Sequence, residues 1–149
     1  MPGGKIAFYT GILPIAQNEA GVAAIMGHEV AHALANHGQQ RMSASQIQQT
    51  LGTVGTIAIG DDQKNQQIFA TAFGLGSQLG VMLPFSRSHE TEADEIGIKL
   101  MAIAGYNPAE ASELWKRMKA KSGGSSQPQF MSTHPSNDSR IENLKSLVD

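Results

Sequence analysis

The hydrophobic pattern along this chain is mostly helical. Residues 5–10 are the exception: a short, flanked run of Ile6, Ala7, Phe8 and Tyr9 between glycines, which predicts one β-strand. Residues 11–17 contain Pro14 and read as a turn or a short helical piece. Asn18 is a good N-cap and Glu19 suits a first turn, so a helix is predicted from there to about Asn36, ending at Gly38. Val22, Ile25, Met26, Val30 and Leu34 are spread around most of its circumference, which predicts a helix buried on nearly all sides.

Four more helices follow from the same reasoning. One covers residues 39–59 and is broken by Gly60, Asp61 and Asp62. One runs from about Lys64 to Leu83 and stops before Pro84. One begins near Ser86 or Ser88 and reaches Ala104, closed by Gly105. Asn107 and Pro108 then start a helix that extends to about Lys121. Residues 123–129 read as a loop and 130–133 as a short extended piece. Ser136 caps a last helix with Ile141, Leu144 and Val148 on one face. The fold class expected is mainly α with a small β element.

At 149 residues the chain is expected to be a single domain with a core of its own. There is no cysteine, which excludes disulfides and thiolate metal sites. A formal charge of −2 with no basic patch argues against nucleic acid. The stretch 68–85 is apolar, but with Thr71, Ser77, Gln78, several glycines and Pro84 it reads as a packed helix followed by a loop rather than a membrane span.

The chemistry is concentrated in His28-Glu29-Val30-Ala31-His32, the H-E-x-x-H pattern on a helix. Residues four apart share a helix face, so the two imidazoles can grip one ion. Glu29, about a quarter turn away, then lies where it can take a proton from a water at the metal. Burying two His and a Glu in an apolar helix without partners is costly, and a cation relieves that cost.

A zinc site of this kind takes a third protein ligand. Glu90, Glu92, Asp94 and Glu95 compete for that place. At about 100° per residue, Glu90 shares a stripe with Ala93, Gly97 and Met101, and Asp94 falls about 40° from it. Glu92 and Glu95 point the other way, to solvent. Glu90 is therefore the expected third ligand, and Asp94 the expected acceptor for a ligand histidine's other N–H. The competing reading is an ordinary solvated acidic run. His37, at a helix end, and His89, expected to be exposed, receive no role.

These motifs resemble the HtpX and CAAX prenyl protease family of gluzincin zinc metallopeptidases, in its soluble bacterial branch. The resemblance rests on Pro2 to Ile6 with Tyr9 to Leu13, and on Gly27 to His32. It continues through Phe85-Ser86-Arg87 with Glu90, Glu92-Ala93-Asp94 and Gly97, then Ala104 to Pro108, then Thr133-His134-Pro135 with Arg140-Ile141. It implies one Zn2+ per chain on His28, His32 and Glu90, with Glu29 as general base. It also places His134 near the metal, as oxyanion stabiliser or as an extra ligand, and Arg140 close by, orienting site groups and assisting His134.

The function implied is a metalloendopeptidase acting on misfolded or unfolded polypeptides of the bacterial envelope, in a periplasmic or membrane-associated form. The alternatives are a latent or inactive zinc-binding domain and a non-enzymatic scaffold. Family members carry an upstream strand that forms the substrate edge. The chain is therefore expected to be N-terminally incomplete, with a neighbouring copy completing the sheet or a missing N-terminal segment contributing membrane association.

Overall fold

The computed structural model describes residues 4–121, 129–135 and 137–148. Among them the chain is mainly helical, as expected. A 3-10 turn (Thr10–Ile12) leads into α1 (Leu13–Ala16), α2 (Glu19–Leu34), α3 (His37–Ile59), α4 (Gln63–Ser77) and a π-helical turn (Gln78–Met82). Then come α5 (Leu83–Ile103), α6 (Ala109–Lys121), α7 (Gln129–Thr133) and α8 (Asp138–Ser146).

The β element does not form: residues 5–9 belong to no regular element, and no described residue lies in a strand. A strand needs a neighbour for its N–H and C=O groups. The pattern of 5–10 shows β preference, but no second strand lies among the described residues. Residues 130–133 are likewise not extended but lie in α7. The predicted loop at 123–128 and the Ser136 cap lie outside the described residues; the side chain of Asn137 accepts from Arg140 N at 2.9 Å and caps α8.

The α2 boundaries follow from its ends. Asn18 Oδ1 accepts from Gly21 N at 2.8 Å. The helix stops before Gly38, because Asn36 takes the left-handed conformation (φ 56°) and reverses the chain into α3. Asparagine is one of the few residues other than glycine that adopts it readily.

Pro84 does not end a helix either. The chain is helical without a break from Gln63 to Ile103. A proline lacks an N–H and its ring clashes with the carbonyl four residues back. Here the preceding turn widens to π spacing, with Leu83 N bonded to Gln78 O, so the ring is accommodated rather than excluded. At the far end of α5, Gly105 (φ 81°) closes the helix, and Tyr106 N donates to Met101 O at 3.0 Å.

The centre of the fold is the crossing of α2 and α5. Their backbones meet at Gly27 and Gly97: a Cβ on Gly27 would lie 2.8 Å from Gly97 O, and one on Gly97 3.0 Å from His28 N. That approach sets the face of α2 that carries His28 directly against the face of α5 that carries Glu90 and Asp94. Around it lie Ile25, Ile98, Met101, Leu114, Trp115, Met118, Phe130 and Leu144, all buried. Arg117 of α6 ties the N-terminal turn down, donating from Nε to Ile15 O at 2.8 Å.

The expectation of an α2 buried on nearly all sides is not met. Val22, Ala23, Met26 and Val30 line an open apolar groove of about 710 Å³, with Leu13 and Leu100 opposite. The α3–α4 pair projects without core: beyond His37, no residue of α3, α4 or the π turn is buried. The apolar stretch 68–85 is thus neither packed nor followed by a loop, and α4 to α5 contains an 18-residue window with the length and apolarity of a membrane span, 0% buried.

Candidate metal centre

His28 and His32 stand one turn apart on α2, and Glu90 faces them from α5. The Nε2 atoms of the two histidines are 3.1 Å apart. Glu90 Oε2 is 3.3 Å from His28 Nε2, and Glu90 Oε1 is 3.3 Å from His32 Nε2. His134, just after α7, brings Nδ1 to 3.3 Å from His28 Nε2 and 2.9 Å from Glu90 Oε2. One ligand atom from each of these four residues lies within 4.8 Å of the others.

The donor set fits zinc. Ligands about 2.0–2.1 Å from a tetrahedral ion are about 3.3–3.4 Å from one another. The separations here are mostly close to that edge length, in a pocket where three imidazole nitrogens and a carboxylate point at one place. No combination of their own protons satisfies all of these atoms pairwise, so the geometry suits a cation.

The outer partners fix which nitrogen each ring offers. His28 Nδ1 lies 2.9 Å from Asp94 Oδ1, close in distance but off the angle of a full hydrogen bond. A proton on Nδ1 facing Asp94 leaves the Nε2 lone pair free toward the cluster. Asp94 is itself held by Arg140 of α8, whose Nε and Nη2 donate to Oδ2 and Oδ1 at 2.8 and 2.7 Å. Nη1 of Arg140 lies 3.0 Å from Glu90 Oε2 and donates to Pro135 O at 3.0 Å, and the guanidinium stacks 3.8 Å over Trp115. Four of its donor directions are therefore used inside the protein, and the residue is 4% exposed. These contacts turn the guanidinium inward, onto Asp94 and Glu90.

His32 has a partner that sequence reasoning passed over. Its Nδ1 is 2.8 Å from Nδ1 of His37, and His37 Nε2 is 3.1 Å from Glu92 Oε2. The ionised Glu92 only accepts, so His37 Nε2 carries the proton and its Nδ1 accepts. His32 must then donate from Nδ1, which frees its Nε2 for the metal. Glu92 is exposed, as predicted, but it is the anchor of this relay. His89, expected to be exposed, is 3% exposed: it stacks on His37 with centroids 4.0 Å apart and its Nε2 meets Gln40 Oε1 at 3.1 Å. The overlooked signal was positional. His37 follows the Asn36 reversal immediately, so it starts α3 beside the last turn of α2 instead of ending α2 in solvent. Replacing His37 with alanine is expected to weaken zinc affinity by about 10–100-fold, with partial recovery in His37→Gln, read by competition against a chromophoric chelator. Unchanged affinity in both variants contradicts the relay.

Glu29 is the next residue on α2, and its Oε1 lies 3.1 Å from His134 Nε2. Burial pushes Glu29 up, but the close contact and charge of His134 and the charges of His28 and His32 outweigh it and leave the carboxyl below its ordinary range. Burial opposes ionisation of Glu90 and Asp94 too; His134, His28 and His32 hold Glu90 ionised, and His28 with Arg140 hold Asp94. Burial lowers His134, but Glu29 and Glu90 more than reverse this and push it up to about 9.

These shifts set the pH response of the metal-free chain. His134 binds its proton more tightly folded than unfolded, so its stabilisation is complete below 6.5 and is lost as pH rises through about 9. The carboxylates act oppositely, and their part is lost only as pH falls below 4.5. With chelator present, the thermal midpoint is expected to fall between pH 6.5 and 9, by at most about 3 kcal/mol of stability. His134→Ala should flatten that alkaline limb; a limb that persists in the variant contradicts the assignment.

The chain is 37% identical over 149 residues to the mitochondrial metalloendopeptidase OMA1 of Saccharomyces cerevisiae, covering 97% of this chain and 41% of the relative. It is 28% identical to the human mitochondrial metalloendopeptidase OMA1, over 99% of this chain and 29% of the relative. It is 25% identical to the beta-barrel assembly-enhancing protease of Escherichia coli, over 99% of this chain and 31% of the relative. The chain thus spans about two fifths or less of the length of these relatives, and no solved structure matches it. The family model for peptidase family M48 matches residues 1–148, and the chain belongs to that family.

Proposed function

We propose that residues 1–149 form one catalytic domain of a zinc-dependent endopeptidase. The observation that carries this reading is the convergence of His28, His32, Glu90 and His134 on one point, with the Glu29 carboxylate beside it. His28, His32 and Glu90 hold the metal. Bound zinc supplies Lewis acidity toward a peptide carbonyl. Glu29, ionised at neutral pH, accepts a proton from the attacking water and passes it to the leaving amine. Arg140 fixes Glu90 and Asp94, and Asp94 fixes His28.

The substrates we assign are unfolded or misfolded polypeptides of a bacterial envelope, and we place the chain at the periplasm or the membrane surface. The resemblance of the motifs supports this. On this reading a neighbouring copy supplies the strand along which an extended substrate lies.

A second reading is favoured by one observation. His134 presents Nδ1 to the converging ligand atoms and Nε2 to Glu29. On this reading the conformation is latent, with His134 as the fourth ligand. The two readings separate in one assay: cleavage of unfolded casein by zinc-loaded protein and by His134→Ala. If His134 stabilises the oxyanion, the variant loses about 10²–10³ in kcat. If it closes the site, the variant gains activity. No zinc-dependent cleavage from protein carrying the segments its relatives possess would overturn the endopeptidase reading.

A further inference from the structure

Among the described residues, nine of the sixteen exposed large hydrophobic side chains lie between Met42 and Val81, on α3, α4 and the π turn. Ile47, Leu51 and Ile57 of α3 and Ile68, Leu75 and Leu79 of α4 and the π turn are each more than half exposed, and Ile47 and Leu51 border a cleft with Phe73, Val81 and Phe85. Contiguous apolar surface of this kind marks an interaction site.

The charges say what it meets. There is no charged residue between Arg41 and Asp61, or between Lys64 and Arg87. These stretches of 19 and 22 residues are helical over nearly all of their length. At 1.5 Å per residue they are about 28 and 33 Å long. That is the thickness of a bilayer's hydrocarbon core, about 30 Å. Asp61, Asp62 and Lys64 sit at the tip, and Arg41 and Arg87 at the base. A groove on another protein requires one apolar face, and it does not require a charge-free slab with charge at both ends of two antiparallel helices.

The polar groups in the slab are arranged for a medium without water. Thr50, Thr53, Thr56 and Thr71 each donate the hydroxyl to the carbonyl four residues back. Ser77 donates to Gly74 O and accepts from Gln48 Nε2 across the hairpin at 2.6 Å. Gln46 lies toward the Arg41 end and Gln66 and Gln67 next to Lys64, where amides reach water; Gln48, Gln49 and Gln78 lie deeper, and Gln48 donates to Ser77. The two helices are sealed together by close contact: a Cβ on Gly55 would lie 2.1 Å from the Phe69 ring, and one on Gly52 3.2 Å from the Phe73 ring. Small residues against large ones are how helices associate in lipid, where no hydrophobic force drives them together.

We propose that the α3–α4 hairpin inserts into the hydrocarbon layer of a lipid bilayer. Its base begins at His37, which contacts His32, so insertion holds the metal centre at the membrane surface. The inference does not depend on the peptidase reading.

The chain has no cysteine, so single cysteines placed at Ile57, Leu79 and, as a control, the exposed Glu95 of α5 can each carry an environment-sensitive fluorophore. With vesicles of equimolar phosphatidylcholine and phosphatidylglycerol, the labels at 57 and 79 are expected to brighten and shift to the blue, and the label at 95 to stay unchanged. Unlabelled chain should float with the vesicles, and the Ile57→Glu, Leu79→Glu double variant should float about tenfold less or worse, with helix content and zinc stoichiometry kept. A chain that stays at the bottom of the gradient, with no shift at 57 or 79, overturns the proposal. So does a shift at both positions without vesicles in a chain that light scattering shows to be a dimer, because the face then belongs to a second copy. If the double variant misfolds, the labels decide alone.

Discussion

Arg140→Met is expected to cost about 3–5 kcal/mol of folding stability, measured by urea denaturation of the metal-free chain near pH 7. The size follows from what the guanidinium leaves behind. Asp94 and Glu90 are 6% and 3% exposed, and both are ionised. Arg140 supplies two hydrogen bonds to Asp94 and a contact to Glu90. Methionine fills the space over Trp115 but offers no donor. Two buried carboxylates would then be left with histidines alone, and a domain's whole stability is about 5–15 kcal/mol. Arg140→Lys should recover only part of the loss, since an ammonium cannot bind Asp94 through two parallel N–H groups. Zinc should narrow the deficit, by supplying a cation to Glu90 but not to Asp94. A loss under about 1 kcal/mol in the metal-free chain would show that Arg140 does not hold the two α5 carboxylates.

Glu29→Gln is expected to lower kcat by about 10²–10⁴ with little change in KM. Glutamine keeps the size and one acceptor of the side chain but cannot take up a proton. Glu29 is not among the converging ligand atoms, so zinc stoichiometry should stay at the wild-type value. The separation of these two readouts is the point: a ligand substitution such as His28→Ala loses both. Undiminished cleavage of unfolded casein by Glu29→Gln would remove Glu29 from the role of base.

The parts of the site readable in the sequence are those where spacing alone fixes direction. His28 and His32 share a face because they are four apart. Glu90 and Asp94 turn inward because they fall in phase with Ala93, Gly97 and Met101, and all five are buried. The Asn18 cap and the Gly105 closure are local events, decided by side-chain reach and by tolerance of positive φ. The features that spacing could not give depend on what lies across the molecule. Residues 5–10 have β preference but no partner strand among the described residues. Apolarity at 68–85 said nothing of whether protein or something else covers those side chains. Pro84 reads as a stop in the sequence, because the widening of the turn before it leaves no mark in composition. His37 and His89 gain their burial from the packing of α3 on α5, and a lone histidine carries no periodicity. His134 and Arg140 are legible only through the resemblance, since residues so far along the chain have no phase relation to α2.

The central claim is that His28, His32 and Glu90 hold a zinc ion, and zinc K-edge X-ray absorption on protein loaded with one equivalent tests it most directly. The account predicts a four-coordinate shell of light atoms at about 2.0–2.1 Å with outer-shell scattering from at least two imidazoles. It predicts that the His28→Ala, His32→Ala double variant retains no stoichiometric zinc. A six-coordinate, all-oxygen shell, or stoichiometric binding that survives the double substitution, would contradict it.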